Sequence, residues 1–88
     1  MNIEFDKCFK KQFTKLSPID KKRVKQALEL FQESPHAPAL KNHMLMWELK
    51  DMRSLSAGFD LRMIYREKDA WKTAYFLKVG THNQVYGK

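Results

Sequence analysis

The sequence predicts an α+β domain in which an N-terminal helical hairpin packs on a small, twisted, mostly antiparallel β-sheet. Two observations carry that expectation. Apolar residues recur at helical spacing between residues 7 and 34, and from residue 46 onward they give way to short segments of two-residue alternation rich in β-branched and aromatic side chains. Proline, glycine and a Glu67-Lys68-Asp69-Ala70 turn mark the breaks between these segments. A chain of 88 residues supports one modest core. It therefore reads as a single domain over residues 1–88, whose site must lie on a sheet surface or in a shallow groove.

Ile3 and Phe5 alternate with polar neighbours, as in a short first strand ending near Asp6, whose carboxylate can cap the helix that follows. Phe9, Phe13 and Leu16 then repeat at helical spacing, with Lys7, Lys10, Lys11 and Lys15 largely on the remaining surface. Ser17-Pro18-Ile19-Asp20 supplies a hydroxyl cap, a proline in the first turn where its missing amide costs nothing, and a carboxylate three residues on. Val24, Ala27, Leu28 and Phe31 form the apolar stripe of this second helix, which Ser34-Pro35 ends. A loop over residues 35–39 continues towards strands at Met46 to Arg53, Phe59 to Arg66 and Trp71 to Val79. In the second of these, Leu61, Met63 and Tyr65 share one face while Asp60, Arg62, Ile64 and Arg66 share the other. In the third, Tyr75, Leu77 and Val79 fall on one face and Ala74, Phe76 and Lys78 on the opposite one.

Seventeen Lys and Arg against ten Asp and Glu leave a formal charge of +7, which favours a polyanionic partner. The apolar fraction of 43%, with six Phe and three Tyr, distinguishes a folding chain from a basic disordered tail. A single cysteine rules out an intrachain disulfide framework and every multi-cysteine zinc pattern. The three histidines lack a metal-ligand spacing, so neither metal nor cofactor is expected. No apolar run approaches the roughly 20 residues of a membrane span, and the start has no secretory pattern, so the expected location is cytoplasmic.

The strand-rich half gathers histidines, a carboxylate, a guanidinium and an aromatic hydroxyl, a set suited to holding and cutting RNA. Metal-free cleavage needs a base for the 2'-hydroxyl, positive charge against the phosphorane and an acid for the leaving 5'-oxygen. Histidine serves as either acid or base because its unperturbed pKa of roughly 6.5 leaves both forms accessible. Each candidate also has an ordinary reading. Asp60 with Arg62 can be a surface pair, His82 a turn residue after Gly80, and Tyr86 an edge seal of the core. Lys78 and Arg53 can be solvated sheet face, and Trp47 and Trp71 packing residues.

His43-Met44-Leu45, Arg53-Ser54, Asp60-Leu61-Arg62-Met63-Ile64-Tyr65 and Gly80-Thr81-His82 with Tyr86 together resemble the RelE/ParE superfamily of toxins, and within it the YafQ-like branch. The resemblance spans nearly the whole chain. It implies the hairpin-on-sheet fold, a cognate antitoxin as partner, and cleavage of messenger RNA in the ribosomal decoding site. The protein would be a monomer when free and a hetero-oligomer with its antitoxin. ParE-like members instead inhibit DNA gyrase, and a binding module without catalysis is the remaining alternative. Gly-Thr-His with the terminal tyrosine points to the nuclease side, whereas the Asp-Leu-Arg-x-Ile-Tyr strand marks only the superfamily.

The resemblance assigns catalytic places to His43, Asp60, Arg62, Lys78, His82 and Tyr86. His82 would be the acid, with His43 or Asp60 the base; Asp60 would otherwise orient a histidine. Arg62 and Lys78 would neutralise the scissile phosphate, and Tyr86 would stack on a base or donate its hydroxyl. Lys50 and Arg53 would grip the RNA backbone. The chain departs from the pattern in two places: Ser56 stands where YafQ-like enzymes often have a further histidine, and Trp47 where a glycine is usual.

Overall fold

The computed structural model describes residues 2–45, 51–70 and 72–86. Strand β1 (Asn2–Phe5) leads into helices α1 (Lys7–Thr14) and α2 (Pro18–Glu33), then a single 3-10 turn at Pro38–Leu40. Strands β2 (His43–Met44), β3 (Arg53–Ser56), β4 (Leu61–Lys68) and β5 (Thr73–Thr81) follow, and helix α3 (His82–Tyr86) is the last element among the described residues. The five strands form one sheet in the order β1-β5-β4-β3-β2, with β1 parallel to β5 and the other pairs antiparallel. This is the predicted α+β architecture. Among the described residues, no helix is long and apolar enough to cross a membrane.

Both helix starts form as the sequence dictates. Asp6 sits in extended backbone and accepts the Cys8 N–H at 2.9 Å, and its other carboxylate oxygen takes the Tyr75 hydroxyl at 2.6 Å. These bonds, the Tyr75 one foremost, hold the Asp6 carboxyl below the usual carboxylate range. Ser17 Oγ accepts the Asp20 N–H at 3.1 Å, with Pro18 in the first turn.

The hairpin covers one face of the sheet. Phe9, Val24, Ala27 and Phe31 from the helices meet Leu55, Met63, Tyr65, Ala74, Phe76 and Val79 in a single buried cluster. At its centre Phe31 packs edge-on against Tyr65 and Phe76, with ring centroids 5.1 and 5.6 Å away, while Tyr65 and Phe76 stack at 5.1 Å. The buried Tyr65 hydroxyl accepts from Asn42 Nδ2 at 2.8 Å, so its polar end is satisfied inside the core. Burial nonetheless pushes its phenol up.

Strand boundaries move relative to the sequence reading. β4 runs on through Glu67 and Lys68, leaving Asp69 and Ala70 as the turn, both with positive φ. β3 begins at Arg53, where the expected strand from Met46 was to end; residues 46–50 and Trp71 lie outside the described set. Residues 82–86 form a helix rather than a turn.

The larger correction concerns β5. Ile64 pairs with Lys78, but Tyr65 pairs with Phe76, so Leu77 is an extra residue in a β-bulge. Strict alternation placed Val79 with Tyr75 and Leu77; the bulge instead places it with Phe76 on the core face, 1% and 0% exposed. Lys78 remains on the opposite face. That face is also not uniformly solvated: Ile64 is buried, and with Met52, Leu77, Lys78 and Val85 it lines a small depression of about 200 Å³.

Candidate active site

Residues directly opposite one another on neighbouring strands project to the same face. On the face away from the hairpin, the register gives one row of His43, Ser54, Ile64 and Lys78, and a second row of Ser56, Arg62 and Gly80. Strand spacing of about 4.8 Å makes the first row about 14 Å from His43 to Lys78. Helix α3 folds back over this face, with Val85 buried as its anchor.

A reciprocal cap fixes α3 in place. Thr81 Oγ1 accepts the Gln84 N–H at 3.3 Å, and Gln84 Oε1 accepts the Thr81 N–H at 2.9 Å. This is the Thr-x-x-Gln capping box, which satisfies two otherwise orphaned donors. Gly80 makes room for it: a Cβ there would sit 2.6 Å from Gln84 Oε1 and 3.1 Å from Gln84 Cβ.

The cap delivers His82 and Tyr86 to the site. The His82 N–H donates to the Asp60 carbonyl at 3.1 Å, which joins the start of α3 to the turn before β4. The His82 and Tyr86 rings lie 4.3 Å apart between centroids, and the Tyr86 hydroxyl donates to the buried Ser54 Oγ at 2.7 Å. Ser54 is itself the direct cross-strand neighbour of His43. A ring contact, a hydrogen bond and a cross-strand pairing thus link His82, Tyr86, Ser54 and His43 in turn across the face, and the backbone of Asp60 meets the His82 end.

His43 is exposed, and its Nδ1 lies 2.8 Å from the Lys41 carbonyl. A carbonyl can only accept, so Nδ1 carries the proton and, in the neutral ring, Nε2 presents its lone pair. The Asp60 residue is exposed, and no hydrogen bond or ion pair engages its carboxylate among the described residues.

Arg62 is half-buried and anchored through one nitrogen. Its Nη1 donates to the Phe59 carbonyl at 2.9 Å, the Leu61 carbonyl at 3.0 Å and Ser56 Oγ at 3.3 Å. Ser56, the residue standing where a histidine was expected, therefore helps hold the guanidinium, leaving Nε and Nη2 as the groups available to an anion. Lys78 is half-buried one row away.

Arg53 lies elsewhere. Its strand position pairs with Tyr65, which puts it on the hairpin face, where Nη1 donates to Asn42 Oδ1 at 3.1 Å and Nε lies 3.2 Å from Glu67 Oε1. The Nε–H is not aimed at that oxygen, so the contact is one of charge without a well-formed hydrogen bond. Burial pushes the Glu67 carboxyl up, with Arg53 opposing it. Lys50 falls outside the described residues. Among those residues no group of three or more His, Cys, Asp or Glu could hold a metal ion.

No protein-family model and no curated protein matches the chain. Among solved structures, it is similar to YafQ from E. coli strain BL21(DE3), with 26% identity over 98% of both chains and a TM-score of 0.79. In fold and in sequence the chain is thus similar to the YafQ-like branch of the RelE/ParE superfamily. A metal-bound toxin from Helicobacter pylori is 28% identical over 97% of this chain and 98% of its own, with a TM-score of 0.69. The E. coli DinJ–YafQ complex matches at 24% identity over 98% of both chains, with a TM-score of 0.70. The RelE/ParE toxin fold of this chain is consistent with toxin activity directed at nucleic acid.

Sequence reasoning gave no role to Ser54, quoted only within Arg53-Ser54, or to the Thr81–Gln84 pair, whose Thr-x-x-Gln spacing was legible. Phe59 was read only as the first residue of a strand that in the structure begins at Leu61.

Proposed function

We propose that this RelE/ParE-like protein is a ribosome-dependent endoribonuclease that cuts messenger RNA by acid–base catalysis. The observation that carries the reading is the path from His82 through Tyr86 and Ser54 to His43 on the face that also bears Arg62 and Lys78. In the reaction, the 2'-oxygen gives its proton to the base and bonds to phosphorus. The bond from phosphorus to the 5'-oxygen breaks, and that oxygen takes a proton from the acid. The products are a 2',3'-cyclic phosphate and a 5'-hydroxyl.

His82 is the acid in this reading. His43, whose Nε2 lone pair faces away from the Lys41 carbonyl contact, is favoured over Asp60 as base. Asp60, joined to His82 through its backbone, then orients or electrostatically supports the acid. Arg62 and Lys78 stabilise the phosphorane charge. Tyr86 positions His82 by ring contact. The decoding site would supply the alignment of the 2'-hydroxyl, a contribution that can exceed that of any one side chain. An antitoxin partner is part of the proposal, supported by the similarity to the YafQ held in the DinJ complex. Its acidic or amphipathic segment would complement the +7 charge.

The test is primer extension on a translating message with the wild-type protein, His82→Ala and Arg62→Ala, each with and without ribosomes. Cuts confined to ribosome-engaged message and lost in both variants support the proposal. No cuts at any concentration would move the weight to a gyrase-directed or binding-only protein.

A further inference from the structure

Phe59 occupies a position that stability alone would not choose for it. It is 83% exposed, the most exposed of the large apolar side chains described. Its φ of +47° lies in the left-handed region, which a bulky residue enters only at a cost and which glycine or asparagine would enter more readily. Gly58 before it, at φ +101°, makes the same tight turn possible.

The ring is nevertheless held. The Arg23 guanidinium carbon lies 4.4 Å from its centroid, and Arg23 is itself oriented by Asp20 Oδ1 at 3.1 Å. The Phe59 carbonyl is fixed by Arg62 Nη1 at 2.9 Å, and the next residue, Asp60, accepts the His82 N–H. The structure thus presents an aromatic surface, backed on one side by the Arg23 guanidinium of α2 and open to solvent, on the turn whose backbone carbonyls meet Arg62 and the start of α3.

We propose that Phe59, backed by Arg23, is a stacking platform for an unpaired nucleobase next to the scissile phosphate. The proposal rests on the RNA-cleaving reading above. Any base offers a π-face, so the platform would grip the strand with little sequence preference, while a phosphate of the same strand lies against the free edge of Arg62. Pre-ordering by Arg23 lowers the entropy lost when the base docks.

The experiment uses the full chain and a message fragment carrying 2-aminopurine beside a scissile site made uncuttable by a 2'-deoxy substitution, both free and on programmed ribosomes. Wild type, Phe59→Ala, Phe59→Leu and Phe59→Trp are compared for affinity, fluorescence quenching and thermal midpoint, and for cleavage of the unmodified message. The platform requires quenching by the wild type and an affinity loss of about ten- to a hundred-fold in Phe59→Ala at an unchanged thermal midpoint. Phe59→Trp should restore affinity and Phe59→Leu should not. Equal binding by Phe59→Ala, or full rescue by Leu, overturns the platform, as does a defect seen only in binding a purified protein partner. Quenching and stacking without any cleavage would keep the platform and sink the nuclease reading; no RNA binding by the wild type sinks both.

Discussion

The hydroxyl of Tyr86 donates to Ser54 Oγ at 2.7 Å, tying the C-terminal helix to the middle of the sheet. Ser54 is 0% exposed, whereas Tyr86 is only half-buried, so the two ends of this bond are unequal. Tyr86→Phe strands a hydroxyl that water cannot reach and should cost about 1–3 kcal/mol, while Ser54→Ala leaves a phenol that can rehydrate and should cost about 1 kcal/mol. The double variant should be close to Ser54→Ala alone, because the stranded group is gone. Urea unfolding of the three variants decides it; equal losses in both single variants would contradict the asymmetry.

Gly80→Ala should disrupt the Thr81–Gln84 cap, since the added Cβ would sit 2.6 Å from Gln84 Oε1 and 3.1 Å from Gln84 Cβ. We expect a loss of about 1–2 kcal/mol, the scale of a lost cap, and a larger fall in RNA cleavage than Gln84→Ala produces at matched stability. Thermal unfolding beside a cleavage assay would show it. Wild-type stability and activity in Gly80→Ala would mean that the cap does not hold His82 and Tyr86.

Arg53→Met should destabilise the fold by about 1–3 kcal/mol, because it leaves the largely buried Glu67 carboxylate without its counter-charge. The deficit has a defined pH sign. The Glu67 carboxyl is already raised by burial, so its ionisation works against folding above its folded-state pKa, and protonation relieves this as pH falls through that value. The variant's deficit should therefore shrink on acidification, and Arg53→Met combined with Glu67→Gln should lose less. A deficit independent of pH would rule this account out.

The Asp6 carboxyl is held low by the Tyr75 hydroxyl and the Cys8 amide. A depressed carboxyl contributes stability that is complete above its unfolded value of about 3.9 and is lost as pH falls through the lower folded one. Asp6→Asn should lower stability at neutral pH and flatten the acid limb of the stability curve. Denaturant midpoints measured from pH 7 down to 2 give the slope directly.

What the sequence made legible was local. Asp6 and Ser17-Pro18 start the two helices because a cap bonds to amides two or three residues away, so everything the motif needs lies within one stretch of chain. The core face of Leu61, Met63 and Tyr65 was equally readable, since alternation within one strand is enough to assign it. The resemblance singled out His43, Asp60, Arg62, Lys78, His82 and Tyr86 by residue type and spacing, and their strand and helix positions put them on or around the face that α3 covers.

Tertiary structure decided the rest. The bulge at Leu77 is a property of two paired strands, and only the mismatch between Tyr65–Phe76 and Ile64–Lys78 reveals that Val79 turns inward while Lys78 stays out. Arg53 belongs to the hairpin face because its partner across the sheet is Tyr65, a pairing that its neighbours in sequence cannot encode. The Thr-x-x-Gln signal of α3 stood in the sequence, yet a five-residue helix is too short to persist on its own. It forms here because Val85 is buried and Tyr86 finds Ser54. Caps and alternation are short-range and survive in the unfolded description of the chain; register, bulges and the docking of a short helix exist only once distant segments pay their closure entropy and meet.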